Sequence, residues 1–454
     1  MIQDTSPSPE MYLARRSGAR CGGWGQSDPA SFQGIDYADL RECTVLWAVS
    51  VPGESPWCTA AVENVDAPQR HAAHTPSHPH KFPVPGMHHL GVQIKVYDRD
   101  RGADAFRSTD IHTFVGILTS EPLSTTLGLD PPVLVPTLHV LFSQPVPPTI
   151  VPRVYPSMPH SKEIRDELIA WIADTSLAGD LDAAEWVLLS IISRVQSRTP
   201  PILPLSLTIS RFPSPSASNT IPALSHVLSQ VLALLTTIPL SLETINNTPF
   251  APESKNEDLH SGWLQLPRGS ACLVTEGEVT EGKVFERGMV NLRALQETMS
   301  TQRLEYIFPF SRFAFDTDVT FIILAEGKKS AFFQTDINVP LQPKTANFDF
   351  YAKPETIRPL PREKLDAFRS LIGAAKVGNM TVGEQSAQFI QDDFVKERQA
   401  ASSASEPFSS ESLIQRMMAA RLLALSLHEK EITVPIWEAA KSLDMRRKAR
   451  FSSL

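Results

Sequence analysis

Residues 271–284 read ACLVTEGEVTEGKV, and this stretch decides how the centre of the chain folds. Its first four residues are apolar without a break, which is typical of a short strand buried on both faces of a sheet. The residues that follow have the outline of a phosphate-binding loop, because Gly277 is followed five positions later by Gly282 and Lys283. The stretch therefore predicts a buried strand that ends in a loop, and the side chains of that loop decide its chemistry.

The loop lacks the groups that a phosphate site needs. A Ser or Thr hydroxyl must follow the lysine to hold Mg²⁺, and Val284 stands there instead. Such a loop also directs backbone N–H groups and positive potential at the anion. This one carries Glu276, Glu278 and Glu281, which repel a triphosphate. We therefore expect an acidic, solvent-exposed turn, and a weak ATPase that uses Lys283 is the alternative from the enzyme class.

Composition argues against several classes of protein. The chain has 454 residues, enough for two to four domains, and its 42% hydrophobic and 20% charged residues are ordinary for a globular protein. A net charge of −8 argues against nucleic-acid binding over the whole surface, since such binding depends on Lys and Arg at the phosphates. The sequence contains no uncharged apolar run of roughly 18 residues, so we expect no contact with a membrane.

The N-terminal part predicts an OB-like β-barrel that an insertion divides. Short apolar strands between polar turns occur in residues 1–65 and again in residues 91–145, a pattern that favours a small barrel. Residues 66–90 are rich in Pro and His without periodicity, so we predict a disordered insertion. Zinc binding there is disfavoured, because a Pro-rich loop without cysteines does not fix the ligand geometry. The histidines concerned are His71, His74, His78, His80, His88 and His89.

The rest of the chain predicts two further domains after a Pro-rich linker at residues 146–160. Strands alternate with helices over residues 161–345, which indicates an α/β layer structure. Residues 346–454 have helical periodicity, with helices expected at residues 362–377 and 382–400 and a last helix expected to end at residue 443, before the basic tail MRRKAR. A solvated C-terminus, a nuclear import signal and a patch for an acidic partner are all open interpretations of that tail. The sequence as a whole predicts a multidomain α+β protein.

The barrel raises a second alternative function, binding of single-stranded DNA. Surfaces of that kind combine aromatic side chains that stack on bases with a basic groove. Ordinary barrel surface is the simpler interpretation of the same residues. The side chains that would form the groove are Arg15, Arg16, Arg20 and Trp24, or Lys95, Tyr97, Arg99 and Arg101.

Five segments, taken together and in order, resemble the minichromosome maintenance complex-binding protein family. They are VSVPGESPW at residues 49–57, the stretch at 94–122, HSGWLQLPRGSACLVTE at 260–276, LQETMSTQRLEYIFPF at 295–310, and DDFVKERQ at 392–399. The resemblance covers most of the chain. The family's N-terminal helical region has no counterpart here, which implies either a barrel without its opening strand, and hence an exposed edge, or a truncated sequence.

That family in turn resembles the AAA+ ATPases of the helicase ring that it binds, and the comparison implies a central domain without ATPase chemistry. The helicase strand ends in Asp-Glu; Glu276 is kept here, but Thr275 replaces the Mg²⁺-binding Asp. The residues after the strand at 202–210 include neither the Gly nor the Lys of a phosphate loop. Glu411 stands where the helicase lid has a nucleotide-binding Arg. We therefore expect a degenerate AAA+-like α/β domain and a lid-like helical domain, with no catalytic residue, cofactor or metal.

The resemblance implies a nuclear, non-catalytic binding protein or chaperone of the minichromosome maintenance (MCM) helicase. The expected partners are MCM subunits and, indirectly, chromatin, with no small-molecule substrate. The implied roles are assembly of the complex, its unloading from chromatin in late S phase, and an effect on sister-chromatid cohesion. The shared segments supply our candidates for a partner interface, which are Trp263, Leu264, Asp392, Asp393 and Phe394.

Overall fold

The computed structural model describes residues 1–16, 19–20, 37–60, 78–87, 89–97, 106–123, 134–146, 161–217, 220–256, 258–401 and 410–452. Within these ranges the chain forms ten α-helices and several β-sheets, so the predicted mixed α+β class is confirmed. None of the described helices combines the length and the apolar run that crossing a bilayer requires. The domain boundaries given above stay a prediction.

A mainly antiparallel unit comes first. Its elements are β1 (Ile2–Asp4), β2 (Glu10–Leu13), β3 (Arg15–Arg16), β4 (Ala19–Arg20), β5 (Leu40–Val49), α1 (Pro56–Ala60), β6 (Gly91–Val96), β7 (Ile111–Pro122) and β8 (Leu134–Val146). One sheet has the order β1-β5-β6-β8-β7, and β2 also pairs with β5. Ile2 N donates to Asp110 O at 3.0 Å, and Thr109 N donates to Ile2 O at 2.8 Å. These bonds join β1 to the segment before β7, so the two edges of the sheet meet there.

A five-stranded parallel sheet forms the centre of the molecule. The elements of this central unit are α2 (Ser161–Ser176), α3 (Leu181–Ile192), β9 (Ser197–Arg198), β10 (Pro201–Ile202), β11 (Leu207–Ser210), α4 (Ala223–Ser229), β12 (Leu235–Pro239), α5 (Leu242–Asn247), β13 (Glu253–Lys255), β14 (Asp258–His260), β15 (Ser270–Thr275), α6 (Glu286–Thr301), β16 (Arg303–Ile307), β17 (Arg312–Asp316), β18 (Val319–Ala325) and β19 (Ile337–Pro340). The parallel strands lie in the order β12-β15-β18-β11-β19, and β14-β13-β16-β17 form a separate sheet.

Alternation of side chains along the central strands builds a core on each face of this sheet. In β15, Ala271 and Leu273 join one core together with α2 and α3, while Cys272 and Val274 join the other together with α6. All four side chains are buried, because helices cover both faces of the parallel sheet. The strand therefore needs a continuous apolar run, which is the pattern from which its burial was predicted.

The C-terminal helices share the first of these cores. Their elements are α7 (Arg362–Val377), β20 (Thr381–Val382), α8 (Glu384–Ala401), α9 (Ser410–Ser426), β21 (Glu431–Ile432) and α10 (Val434–Ser452). Phe368, Leu422 and Trp437 belong to the same buried cluster as Leu188 of α3 and Leu207 of β11. The predicted lid-like unit therefore packs firmly on the central sheet.

The N-terminal unit packs on the edge of this sheet through its PGESPW motif. Ser55 N donates to Ala233 O, and Leu235 N donates to Gly53 O, both at 2.8 Å. Gly53 has a φ of +70°, and a Cβ at this position would lie 2.8 Å from the carbonyl oxygen of Leu235. Both the backbone conformation and the close approach therefore require glycine. The motif holds the N-terminal unit against β12.

Lys81 makes a second contact between the two units and corrects part of the predicted insertion. Residues 78–87, which the sequence placed in a disordered segment, are folded, and the Lys81 side chain is only 2% exposed. Its ammonium lies 3.1 Å from Asp4 Oδ2 and 2.5 Å from Asp258 Oδ1. A buried ammonium is tolerated when carboxylates surround it. One of these carboxylates comes from the distant β14, so a local pattern could not reveal the order.

The C-terminal basic segment is part of the fold, which corrects its interpretation as a solvated tail or import signal. Helix α10 does not end at residue 443 but continues through this segment. The two Nη atoms of Arg450 lie 2.7 and 2.8 Å from the carboxylate oxygens of Asp180, the N-cap residue of α3. Arg447, also buried, donates to Asp444. These arginine charges are neutralised inside the protein.

We expect Arg450→Met to destabilise the chain strongly, because it leaves the 1% exposed carboxylate of Asp180 without this cation. Removing one partner of a buried ion pair costs about 3–5 kcal/mol. Lys448→Met is the matched control, since Lys448 is 46% exposed and pairs of that kind contribute about 0–1 kcal/mol. Urea unfolding followed by circular dichroism measures both variants. Equal effects of the two substitutions would show that the Arg450 pair does not hold α10 in place.

Candidate functional site at the carboxyl edge of the parallel sheet

The carboxyl edge of the central sheet is where a nucleotide site would be expected. Open α/β sheets bind ligands in the crevice outside the carboxyl ends of their strands. Three neighbouring strands end there, β11 at Ser210, β18 at Ala325 and β15 at Thr275. The loops that follow these strands therefore define the candidate functional site.

The loop after β11 occupies the position of a phosphate-binding loop, but its first two backbone N–H groups already form hydrogen bonds within the protein. Arg211 N donates to Gly327 O at 2.9 Å, and Phe212 N donates to the last residue of β18 at the same distance. Pro215, which has no N–H, packs on the loop after β15 so closely that a Cβ on Gly277 would lie 2.8 Å from its Cδ. These backbone groups are thus unable to cradle an anion.

Aromatic side chains fill the crevice, and we call Phe212, Phe350 and Tyr351 the aromatic plug. The ring centroids of Phe212 and Phe350 are 5.3 Å apart, and Tyr351 Oη donates to the Pro213 carbonyl at 2.8 Å. At the N-terminus of α4, Ala223 N donates to Phe350 O at 2.8 Å. A protein carbonyl thus takes the helix N–H that would point at the anion in a phosphate site. Sequence reasoning missed the plug, because its members lie far apart along the chain and follow no spacing rule.

Glu276 points inward and stabilises the fold. Its carboxylate accepts hydrogen bonds from Ser330 Oγ at 2.5 Å and from Ala331 N at 2.9 Å, and its side chain is 7% exposed. Burial raises the pKa of this carboxyl, and the hydrogen bond from Ser330 opposes that rise. The carboxylate that positions water in an active ATPase has to reach the substrate. Here it ties the end of β15 to the loop after β18.

Acidic side chains lie around the plug. Burial raises the pKa of Tyr351 to about 12, and the negative charges of Glu278 and Glu326 contribute to the rise. Ser214 Oγ donates to Glu326 Oε2 at 2.7 Å, which fixes this carboxylate beside the loop after β11. Carboxylates at such short range would repel a triphosphate. The electrostatics of the site therefore agree with the acidic turn that the sequence predicted.

The other positions compared with an ATPase do not assemble into one site. Thr275, in place of the Mg²⁺-binding Asp, is buried at the end of β15 beside Glu276. Lys283 is exposed between β15 and α6, where its carbonyl accepts from Asn246 Nδ2 at 3.0 Å. Glu411 is exposed in the first turn of α9. Among the described residues, no hydrogen bond or ion pair connects the Lys283 or Glu411 side chain with the carboxyl edge.

Trp263 and Leu264 lie in the core, which corrects their choice as interface candidates. They are 6% and 1% exposed, and the ring of Trp263 packs edge-on against Phe250 at 5.8 Å. Side chains at this depth offer almost no surface to another molecule. These residues were chosen because they lie in a segment that resembles the family, but they fill the core on the second face of the sheet.

Asp393 is also used within the chain. Its two carboxylate oxygens accept from Lys441 Nζ at 2.7 Å and from Trp437 Nε1 at 3.0 Å, which joins α8 to α10. Asp392 is exposed and Phe394 is half-buried on the same helix. A role of these two residues in binding a partner stays a prediction.

Lys95 and Tyr97 are engaged inside the N-terminal unit and do not form a basic groove. Lys95 Nζ lies 2.5 Å from Glu10 Oε2 and 2.7 Å from Glu121 Oε2. Tyr97 Oη lies 2.7 Å from His139 Nδ1, and burial raises its pKa. These contacts weaken the DNA-binding alternative. The side chains of Arg15, Arg16 and Arg20, together with Trp24, Arg99 and Arg101, lie outside the described part of the chain.

Three side chains of metal-binding type meet beside Lys81. His80, Asp258 and His260 bring ligand atoms within 4.8 Å of one another. Asp258 Oδ2 lies 2.8 Å from His80 Nε2, and the other carboxylate oxygen lies 2.5 Å from the Lys81 ammonium. An ammonium at this distance opposes the binding of a dication. The group therefore fits a salt-bridge network between the two units better than a metal centre. His71, His74 and His88 lie outside the described residues.

Comparison with known proteins identifies a family that this chain matches. The sequence profile of the family described as "Mini-chromosome maintenance replisome factor" matches residues 62–451. A "Mini-chromosome maintenance complex-binding protein" of Salmo salar is 28% identical over 412 residues, which are 81% of this chain and 64% of that relative. Proteins of the same name from Arabidopsis thaliana and Homo sapiens are 26% and 25% identical, and the matches cover 81% of this chain and 64% and 63% of theirs. The chain thus spans less than two thirds of the length of these relatives.

We expect Glu276→Gln to remove a pH-dependent loss of stability. The folded pKa of Glu276 lies above its ordinary value of 4.5, so the unfolded chain loses the proton first as pH rises. The free energy of unfolding of the wild type therefore falls, relative to the variant, as pH rises from 4.5 through the folded pKa. Urea unfolding at a series of pH values measures this difference, with Glu326→Gln at an exposed carboxylate as the control. A pH-independent difference would contradict the burial argument.

Proposed function

We propose that this chain, which belongs to the mini-chromosome maintenance replisome factor family, binds subunits of the MCM complex in DNA replication without catalysing a reaction itself. The names of its relatives support MCM subunits as the partner. The carboxyl edge of the sheet supports the absence of ATPase chemistry. The observation that carries the absence of ATPase chemistry is the hydrogen bond from Ala223 N to Phe350 O, since it uses one of the helix N–H groups that a nucleotide would need.

The central unit is interpreted as a degenerate relative of the AAA+ ATPase domains of the helicase ring. Its parallel strands with helices on both faces support this interpretation, and so does the position of the aromatic plug where the nucleotide would lie. Catalysis of phosphoryl transfer depends on positioned cations and Mg²⁺, and the loops here present carboxylates. A unit of this shape could occupy a subunit–subunit face without completing an ATP site, which would keep a ring of subunits open.

The cellular roles extend this mechanism. An adaptor that keeps MCM subunits apart from a closed ring would help to assemble the complex and to unload it from chromatin in late S phase, with consequences for sister-chromatid cohesion. A nuclear location goes with these roles. Its support is the family resemblance and not residues 445–450, because Arg447 and Arg450 are buried in ion pairs.

An OB-like barrel is our interpretation of the N-terminal unit. The two hydrogen bonds that join Ile2 of β1 to the segment before β7 support a barrel. We assign it to protein contact, because Lys95 is neutralised by two carboxylates and cannot serve the basic groove of a single-strand binder. Its PGESPW motif attaches it to the central unit, so the two would present one continuous surface to a helicase subunit.

Co-purification from nuclear extract with the tagged 454-residue chain tests the proposal. We expect recovery of MCM subunits, and equal recovery with Lys283→Ala, because the exposed Lys283 takes no part in a nucleotide site. Gel filtration of the purified chain with recombinant subunits then establishes whether the contact is direct. Failure to retain any subunit would falsify the proposal. Loss of subunits with Lys283→Ala alone would instead favour the ATPase alternative.

A further inference from the structure

A groove lined by methionine and aliphatic side chains lies between α9, the β20–β21 pair and β10. Its volume is about 440 Å³. Along α9, Ile414, Met417, Met418 and Arg421 line it at spacings of about one helical turn, so they form a single stripe. Ile414 is 62% exposed, and Val382 on the opposite wall is 41% exposed. Grouped exposed aliphatic side chains mark contact surfaces more often than isolated ones do.

The guanidinium group of Arg421 at this groove has no ion-pair partner among the described residues. Arg421 lines the groove, and burial, followed by the positive charge of Arg194, lowers its pKa. Within the described part of the chain neither arginine forms an ion pair, and each has a buried Nε without a hydrogen-bond partner. The buried Asp318 already interacts with Lys376 and Arg268 as well as Arg194, so it does not compensate for all these charges. A carboxylate from another molecule that reaches Arg421 would therefore meet a cation that has no ion-pair partner within the described residues.

We infer that this groove binds an amphipathic helix of an MCM subunit, with an acidic residue of that helix at Arg421. The identity of the partner rests on the proposed function. Helices dock in such grooves through apolar residues at positions i, i+3 or i+4, and i+7, and methionines adapt their shape to them. A small molecule fits less well, because Arg421 is the one polar side chain among the described residues that line the groove. Small-ligand sites rely on several converging polar groups.

Titration of labelled peptides of about 20 residues, which together span the MCM subunits, tests the inference by fluorescence anisotropy with the full chain. We expect binding of peptides that combine the apolar stripe with a carboxylate one turn away. Ile414→Asp and Arg421→Glu should each weaken that binding about tenfold or more. A peptide whose carboxylates are replaced by lysine should recover affinity for Arg421→Glu. Phe310→Asp is the matched control, since Phe310 is fully exposed outside the groove.

The outcomes separate this inference from the proposed function. If whole subunits are retained by the chain but no peptide binds, or if binding is insensitive to both groove substitutions, the groove is not the docking site and the proposed function survives. If peptides bind as expected but whole subunits are not retained, the proposed function fails, and the groove is a helix-binding site whose partner is not an MCM subunit. Self-association of the chain that Ile414→Asp abolishes, measured by light scattering, would assign the groove to a second copy and overturn the inference. Circular dichroism of Ile414→Asp and Ile414→Ala confirms that the variants are folded.

Discussion

The hydrogen bond from Ala223 N to Phe350 O occupies a helix N–H group on which nucleotide binding would depend. A helix N-terminus attracts phosphate because its first N–H groups are unsatisfied, and here the chain satisfies one of them itself. Phe350 reaches this position because it packs on Phe212, directly after β11. Binding a triphosphate would therefore require removal of buried aromatic surface, as well as approach to the carboxylates of Glu278 and Glu326.

Ion pairs within the chain join its units. Lys81 connects the N-terminal unit to β14, and Arg450 connects the last helix to the N-cap of α3. Buried ion pairs of this kind fix geometry more than they add stability. A chain whose units are held in register in this way presents a defined surface, which a partner can bind with little cost in ordering. The apolar groove beside α9 lies on that fixed surface.

Local sequence patterns were sufficient to predict the elements in which buried residues follow a regular spacing. The apolar run at residues 271–274 lies within β15, and the helix expected at residues 362–377 coincides with α7 (Arg362–Val377). The helix expected at residues 382–400 corresponds to α8 (Glu384–Ala401). The acidic nature of the loop after β15 and the replacement at Thr275 could also be read from the residues alone. In each case the information lies within one element or one loop.

Contacts between distant residues escaped prediction. The basic segment after residue 443 looks like a solvated tail, although Met, Arg and Lys favour helix, and only its pairing with Asp180 shows that it is buried. Trp263 and Leu264 resembled an interface because a shared segment does not distinguish packing from binding. The aromatic plug could not be predicted, since Phe212 and Phe350 meet only once the sheet and the segment after β19 are assembled.

Calorimetric titration of the purified chain with ATP and Mg²⁺ tests the central claim most directly. If the plug and the inward carboxylate of Glu276 have replaced the nucleotide site, the titration gives no saturable heat at millimolar ATP. Saturable binding that requires Mg²⁺ and disappears with Lys283→Ala would contradict this account.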